Sequence, residues 1–181
     1  MKFRVFSLLA VLFGAYALLG HPAGPSSPDD RPSTKDRIGA ASARTVRLDG
    51  LAGVEFGETE QELLRRGALH PRATACGQRL TGLTAASPVF ADHRLVLLWA
   101  DPPLHTPEGV AAGSPVQAVR TAYPDAARLV APGNSYRFDG LLARRGDRAY
   151  LFLHDGRAVR KMIAGYADYA RQLFDEGFGL C

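Results

Sequence analysis

Short apolar runs separated by turn residues fill residues 46–181 and predict one compact domain of helices and antiparallel strands. The run 95–99 is apolar at every position, which indicates a central strand covered on both faces. Val89 and Phe90 precede this run across residues 91–94, so the two apolar segments together predict a hairpin.

Three further strands are predicted towards the C-terminus, because β-rich runs alternate there with turn residues. Gly146-Asp147 and Asp155-Gly156 are the turns, and an Asp-Gly pair between two such runs favours a two-residue hairpin turn. The strands are predicted at about 136–143, 148–154 and 157–163, and a last short helix is predicted at about 168–174.

Two stretches carry the start signals of helices. Thr59 and Glu62 fit a T-x-x-E capping box, in which each side chain accepts a hydrogen bond from a backbone N–H at the helix start. Ser114 is predicted to cap a second helix, with Pro115 in its first position and Gln117 completing the box.

One pattern occurs twice in the domain. The G-V-x-x-G of residues 53–57 recurs at residues 109–113, and a glutamine follows each copy inside the predicted helix. Two copies of a glycine-punctuated turn that opens a helix indicate a duplicated module. We therefore predict an α+β fold of two tandem repeats, about 46–104 and 105–181, each a short helix followed by antiparallel strands.

The N-terminal segment has the character of an export signal. Lys2 and Arg4 precede an uncharged, largely apolar run, so residues 1–20 are predicted to be a signal peptide or an uncleaved membrane anchor. Residues 21–45 are rich in proline and serine and lack aromatic residues, which predicts a disordered linker. The domain is therefore expected outside the cytoplasm, secreted or anchored to the membrane through its N-terminal segment.

Charge and cysteine content narrow the class of protein further. The 181 residues carry a net charge of +4 without a basic stripe interleaved with aromatic residues, which argues against a nucleic-acid partner. Cys76 and Cys181 are the two cysteines, and in an exported chain an even number favours a disulfide. The alternative is Cys76 as a nucleophile, for which no histidine stands at a known spacing.

No catalytic, metal or cofactor motif is present in the sequence. The five histidines show no metal-binding spacing, and there is no phosphate loop, dinucleotide fingerprint or nucleophile elbow. We therefore assign no catalytic residue, no metal and no cofactor from motifs.

A candidate binding face follows from the predicted turns. Two-residue turns would pair His154 with Arg157 on one side and with Asp139 on the other. One sheet face would then expose six aromatic and charged side chains: Tyr150, Phe152 and His154, flanked by Asp139, Arg157 and Lys161. Such a mixture is typical of protein- or glycan-binding surfaces. The alternative is an ordinary solvated face with cross-strand pairs.

Five motifs together resemble a group of small exported actinobacterial proteins. They are Gly53-Val54 with Gly57, T-P-E-G-V at 106–110 with Gly113, V-R-T-A-Y-P at 119–124, Y-L-F-L at 150–153 with D-G-R at 155–157, and G-F-G at 177–179 with Cys181. The duplicated layout is also similar to the secreted β-lactamase-inhibitory proteins and, more distantly, to the small lipoproteins of outer-membrane assembly. Both of these are binding proteins, so the resemblance implies binding rather than catalysis.

We therefore expect an exported, non-enzymatic module that binds a protein or a cell-wall component at the cell envelope through the candidate face. The alternative is a small secreted hydrolase that uses His93 or His154 with Asp92 or Asp139. A histidine in a closed pocket would favour the enzyme, whereas an open sheet with exposed aromatic rings would favour the binding module.

Overall fold

The computed structural model of the chain describes residues 42–71, 78–133, 135 and 137–177. A six-stranded antiparallel sheet forms the centre of the fold. The strands are β1 (Gly50–Leu51), β2 (Val54–Glu55), β3 (Leu69–His70), β4 (Arg79–Leu80), β5 (Ala86–Ala91), β6 (Arg94–Ala100), β7 (Ala127–Leu129), β8 (Asp139–Arg145), β9 (Arg148–His154) and β10 (Val159–Tyr166). The helices are α1 (Glu60–Arg65), α2 (Val116–Ala122) and α3 (Ala167–Glu176).

The strands run across the large sheet in the order β5-β6-β10-β9-β8-β7, while β1–β2 and β3–β4 form two small sheets. Helices and antiparallel strands together confirm the α+β class. The predicted layout of two helix-then-strand repeats is not established by the described residues, because β3–β4 pairs outside the large sheet and α3 follows the last strand.

The strongest strand predictions are confirmed. The apolar run is β6, which pairs with β5 on one side and β10 on the other and buries residues 95–98 completely or nearly so. Residues 92–93 form the turn of the predicted hairpin between β5 and β6. Arg145 pairs with Arg148 across Gly146-Asp147, so β8 and β9 are joined by the predicted two-residue turn.

Both faces of the large sheet are covered, and this decides which side chains are accessible. Successive residues of a strand point to opposite faces, and β9 is apolar through most of its length. Phe152 belongs to the buried cluster that contains Leu63 of α1 and Val119 of α2. Leu151 belongs to a second cluster, which it shares with Leu173 and its neighbours on α3.

The two copies of the glycine pattern make the same local structure. Gly57 and Gly113 have φ of 95° and 94°, a region in which a side chain would be strained. The amide of Gly57 donates to the carbonyl of Leu95 at 2.8 Å, and that of Gly113 donates to the carbonyl of Val159 at 2.8 Å. Each turn therefore docks a helix start onto the beginning of a long strand, β6 in one case and β10 in the other.

The two helix starts differ in their caps. The Thr59–Glu62 capping box is present, with the Glu62 amide donating to the threonine hydroxyl at 3.2 Å. The predicted cap at Ser114 is wrong: Pro115 is the N-cap, and the Ser114 hydroxyl instead accepts from the amide of Ala111 at 3.0 Å. A serine hydroxyl can serve either end of such a turn, and here it closes the turn itself. The predicted last helix is confirmed as α3.

Several predictions fall on residues outside the described ranges. The signal or anchor segment 1–20, most of the linker 21–45 and both cysteines, Cys76 and Cys181, lie there and remain predictions. The end of the linker belongs to the domain, because the amide of Val46 and the carbonyl of Arg44 both bond to the backbone of His105. No helix within the described ranges has the length and apolar character needed to cross a bilayer.

Candidate functional site

An open cleft of about 740 Å³ lies where the β8–β9 hairpin meets the C-terminal end of α2, residues 107–108 and the segment before β1. We call it the tyrosine cleft, because two tyrosines stand among its charged residues. Its polar lining consists of Arg47, Asp49, Glu108, Tyr123, Asp125, Arg144, Arg145, Asp147, Arg148 and Tyr150. Four segments distant in sequence thus contribute to a single concave surface.

Two tyrosine rings form the floor of the cleft, and the buried ring of Phe152 packs against them. Tyr150 comes from β9, and Tyr123 follows the last residue of α2, whose Val119 is fully buried. The ring centroids of Tyr123 and Tyr150 lie 5.6 Å apart, and Phe152 lies 5.4 Å from Tyr123 beneath them. Tilted rings at these separations attract one another beyond the burial of their area, so the three rings stabilise one another's positions.

Both tyrosine hydroxyls are already engaged. The hydroxyl of Tyr150 donates to the backbone carbonyl of Val46 at 2.9 Å, and that of Tyr123 donates to the carboxylate of Glu108. Burial, helped by the nearby charge of Glu108, raises the pKa of Tyr150. Burial and then the bond to Glu108 raise the pKa of Tyr123. The two phenols therefore stay neutral at physiological pH and act as fixed hydrogen-bonding groups.

Most of the arginines around the cleft have partners. Arg47 pairs with Asp49 at 3.2 Å, and both side chains are well exposed. Arg144 reaches Asp168 of α3 at 3.3 Å. Arg148 pairs with Asp147, and its guanidinium carbon stands 3.5 Å from the centre of the Tyr166 ring, a cation–π contact.

The aromatic side chains of the candidate binding face are buried in the structure. Tyr150, Phe152 and His154 are only 3%, 0% and 5% exposed, so the expectation that they form a solvent-exposed surface is wrong. The alternation that places them on one face is real, but Tyr123 and Val119 of the α2 segment pack in the same buried cluster. Tyr150 alone of the three also lines the cleft.

The charged residues expected beside that face do not gather there. Asp139 lies opposite His154, as predicted. Arg157 does not pair with His154, because Val159 takes that position and a bulge then shifts the register before Lys161. Lys161 is exposed and lies 3.9 Å from Asp101 instead.

The side chain of Asp155 explains this register. Its Oδ1 accepts hydrogen bonds from the amides of Arg157 and Ala158, both at 2.9 Å, and thereby holds a longer loop than an Asp-Gly two-residue turn. These two bonds, with a further one from Arg160, hold the pKa of Asp155 far below its usual range. The longer loop removes Arg157 from the strand pairing.

His154 is enclosed. Its Nδ1 accepts a hydrogen bond from the amide of Gly156 at 3.1 Å, while its Nε2 is buried and has no hydrogen-bond partner within the described part of the chain. Burial lowers the pKa of this imidazole, and the Asp139 carboxylate opposes the shift. His154 does not line the tyrosine cleft.

The other residues of the hydrolase alternative lie in a turn. Asp92 and His93 occupy the β5–β6 hairpin turn with φ of 48° and 61°, and both are exposed. Within the ranges that the structure describes, no group of His, Cys, Asp and Glu could hold a metal ion. Neither Asp92 nor His93 contributes to the tyrosine cleft.

The cleft residues were visible in the sequence only as fragments of motifs. Glu108 lies in the T-P-E-G-V stretch before α2, and Tyr123 lies in the V-R-T-A-Y-P stretch, directly after the last residue of α2. No local pattern in the sequence indicates that these two side chains meet. Comparison with protein-family models, curated proteins and solved structures finds no match to this chain.

Proposed function

We propose that the protein is an exported, non-enzymatic binding module whose tyrosine cleft takes part of a protein partner or of a cell-wall component. The observation that carries this proposal is the cleft itself, an open concavity of about 740 Å³ with an aromatic floor and a charged rim. Concave surfaces that combine rings with a few placed polar groups are typical of ligand sites.

The state of the polar groups supports binding over catalysis. Tyr123 and Tyr150 are neutral and hydrogen-bonded, so they offer shape and polarity and do not act as bases near neutral pH. His154, the most perturbed histidine of the hydrolase alternative, would have to leave its enclosed position to reach a substrate.

The two matched turns support a duplicated origin for the domain. In each, a glycine with φ near 95° precedes a helix and bonds to the start of a long strand, and those two strands, β6 and β10, pair with each other. We infer that the chain descends from two copies of one module, with the cleft at the second copy's helix.

Charge reversal at the rim tests the function. The full-length chain, expressed in its own host with a C-terminal tag, is cross-linked in cells, and co-purifying envelope components are quantified. Arg47→Glu and Asp125→Lys change exposed cleft residues, and Arg157→Glu and Lys161→Glu are matched controls on exposed residues outside it.

We expect the cleft variants to lose at least about tenfold of the captured partner, because reversed rim charges meet like charges on the partner. The controls should stay within about twofold. Loss of the captured partner in the control variants alone would place the binding surface at Arg157 and Lys161 of the candidate binding face. Full retention in all four variants would remove the cleft from the function.

A further inference from the structure

The charges that the fold leaves unneutralised indicate what the cleft binds. We propose that the ligand is a peptide segment that carries one carboxylate and one cationic side chain, the carboxylate bound by Arg145 and the cation by Asp125. This inference rests on the proposed function and specifies the chemistry of the partner at the same site.

Arg145 is held in an electrostatically unfavourable position. It pairs directly with Arg148 across the β8–β9 hairpin, so two guanidinium groups project from the same sheet face. Like charges in directly opposed positions destabilise a strand pair. A bound carboxylate would remove this repulsion and gain a charge-assisted hydrogen bond, which can be bidentate with arginine.

The rest of the protein compensates Arg148 and leaves Arg145 without a partner. Arg148 has the carboxylate of Asp147 beside it and the Tyr166 ring beneath it. Arg145 is exposed and lines the cleft, and its side chain makes no hydrogen bond or ion pair with any described residue. Ala143, two residues before Arg145 on β8, pairs with Tyr150, so Arg145 lies on the sheet face that carries the tyrosine.

Asp125 is the matching acidic group. It lies just after α2, is exposed, lines the cleft, and has no hydrogen bond or ion pair among the residues that the structure describes. The other carboxylates differ, since Asp49 pairs with Arg47 and Glu108 accepts from Tyr123.

An arginine and an aspartate of the cleft whose side chains have no partner among the described residues fit a ligand that carries both charges. A polyphosphate or another polyanion would meet the repulsion of Asp125, Asp49 and Glu108 within the same cleft. Pro107 and Pro124 complete the lining near the two tyrosines and give apolar surface on which a peptide backbone can lie. A short peptide with a glutamate and a lysine therefore meets every feature of this surface.

A double-mutant cycle tests the assignment. The probes are capped, fluorescein-labelled alanine-based decapeptides with one glutamate and one lysine separated by one to six residues. Matched peptides carry glutamine in place of the glutamate, or norleucine in place of the lysine. Binding to the full-length chain is measured by fluorescence anisotropy at low and at physiological ionic strength. The variants are Arg145→Gln and Asp125→Asn.

We expect one spacing to bind best, and Arg145→Gln to weaken that peptide about fivefold at low salt while leaving the glutamine peptide unchanged. Asp125→Asn should likewise weaken that peptide about fivefold at low salt, while leaving binding of the norleucine peptide unchanged. Arg157→Gln is the matched control, because Arg157 is an exposed arginine outside the cleft, and it should change affinity less than twofold.

Equal losses with the charged and the neutral peptides, or equal losses in Arg157→Gln and Arg145→Gln, would overturn the assignment. Failure of every peptide to bind would do so too. The cellular capture assay separates failure of the peptide assignment from failure of the proposed function. If Arg47→Glu abolishes capture of the partner and Arg145→Gln does not, the cleft remains the binding site and only the assignment of a peptide ligand is refuted.

Discussion

Gly165→Ala should break the junction between the two strands that join the halves of the large sheet. Gly165 of β10 pairs with Leu97 of β6 and has φ of 143°. A Cβ added there would lie 2.1 Å from the carbonyl oxygen of Val96 and 2.9 Å from the Cα of Leu97. Both are backbone atoms of a strand held on its other side by β5, so neither can turn away as a side chain would.

The expected cost follows from two contributions. Alanine in this backbone conformation is strained by about 1–3 kcal/mol. Because the backbone oxygen must move by nearly 1 Å to accept a Cβ, a ladder hydrogen bond in the buried sheet is lost, at about 1–3 kcal/mol. The variant should therefore be about 2–6 kcal/mol less stable, a large part of the roughly 5–15 kcal/mol that holds a domain of this size folded.

Urea denaturation followed by tryptophan fluorescence measures this loss well, since the single tryptophan, Trp99, pairs with Ile163 across the same β6–β10 junction. The midpoint should fall by about 1 M or more. Gly146→Ala has a positive φ of 63° and no atom near its Cβ, so it isolates the strain at about 1 kcal/mol. Gly133→Ala has neither feature and should be neutral within about 0.5 kcal/mol. A Gly165→Ala midpoint equal to that of Gly146→Ala would refute the close approach of β6 and β10.

Two other outcomes follow from the structure and a third from the sequence. Phe152→Ala should cost about 3–5 kcal/mol in the same urea assay, because the ring is completely buried, whereas an exposed ring would cost less than about 1 kcal/mol. Burial holds the pKa of His154 in the folded protein below 6.5, so the unfolded chain binds the proton more readily. The stability contributed by the neutral imidazole is therefore complete above pH 6.5 and is lost as the pH falls through the pKa of the folded protein. The urea midpoint should thus decrease between pH 7 and 5, and a His154→Gln variant with an equal decrease would contradict this. Thiol labelling of the secreted protein should find Cys76 and Cys181 unreactive, and two labelled thiols would show that they are not bonded.

The burial of the candidate binding face is a property that the strand pattern in the sequence does not predict. Alternation correctly placed Tyr150, Phe152 and His154 on one side of β9, and the turn at Gly146-Asp147 correctly set the pairing with β8. Alternation cannot tell whether that side meets solvent or a helix, because both sides of β9 carry apolar residues. The packing of the α2 segment, which follows β6 in sequence, decides that question.

The cleft could not have been assembled from the sequence for a related reason. Its charged and aromatic residues come from the segment before β1, residues 107–108, the segment that follows α2 and the β8–β9 hairpin. Each of these segments has an ordinary local pattern, and only long-range strand pairing brings them to one surface. The unneutralised charge of Arg145 likewise depends on the partners that Arg144 and Arg148 find in space.

Local signals in the sequence were enough to determine the turn at Gly146-Asp147, the capped start of α1, the covered strand β6 and the α+β class, because each depends on interactions between residues a few positions apart. The longer loop at Asp155 lay beyond them, since a side-chain carboxylate there competed successfully with the expected Asp-Gly turn. Tertiary structure alone decided which face of β9 is buried, how β6 and β10 meet at Gly165, and which charges remain free around the tyrosine cleft. Those properties arise from contacts between distant segments, whose burial and electrostatic balance no local pattern encodes.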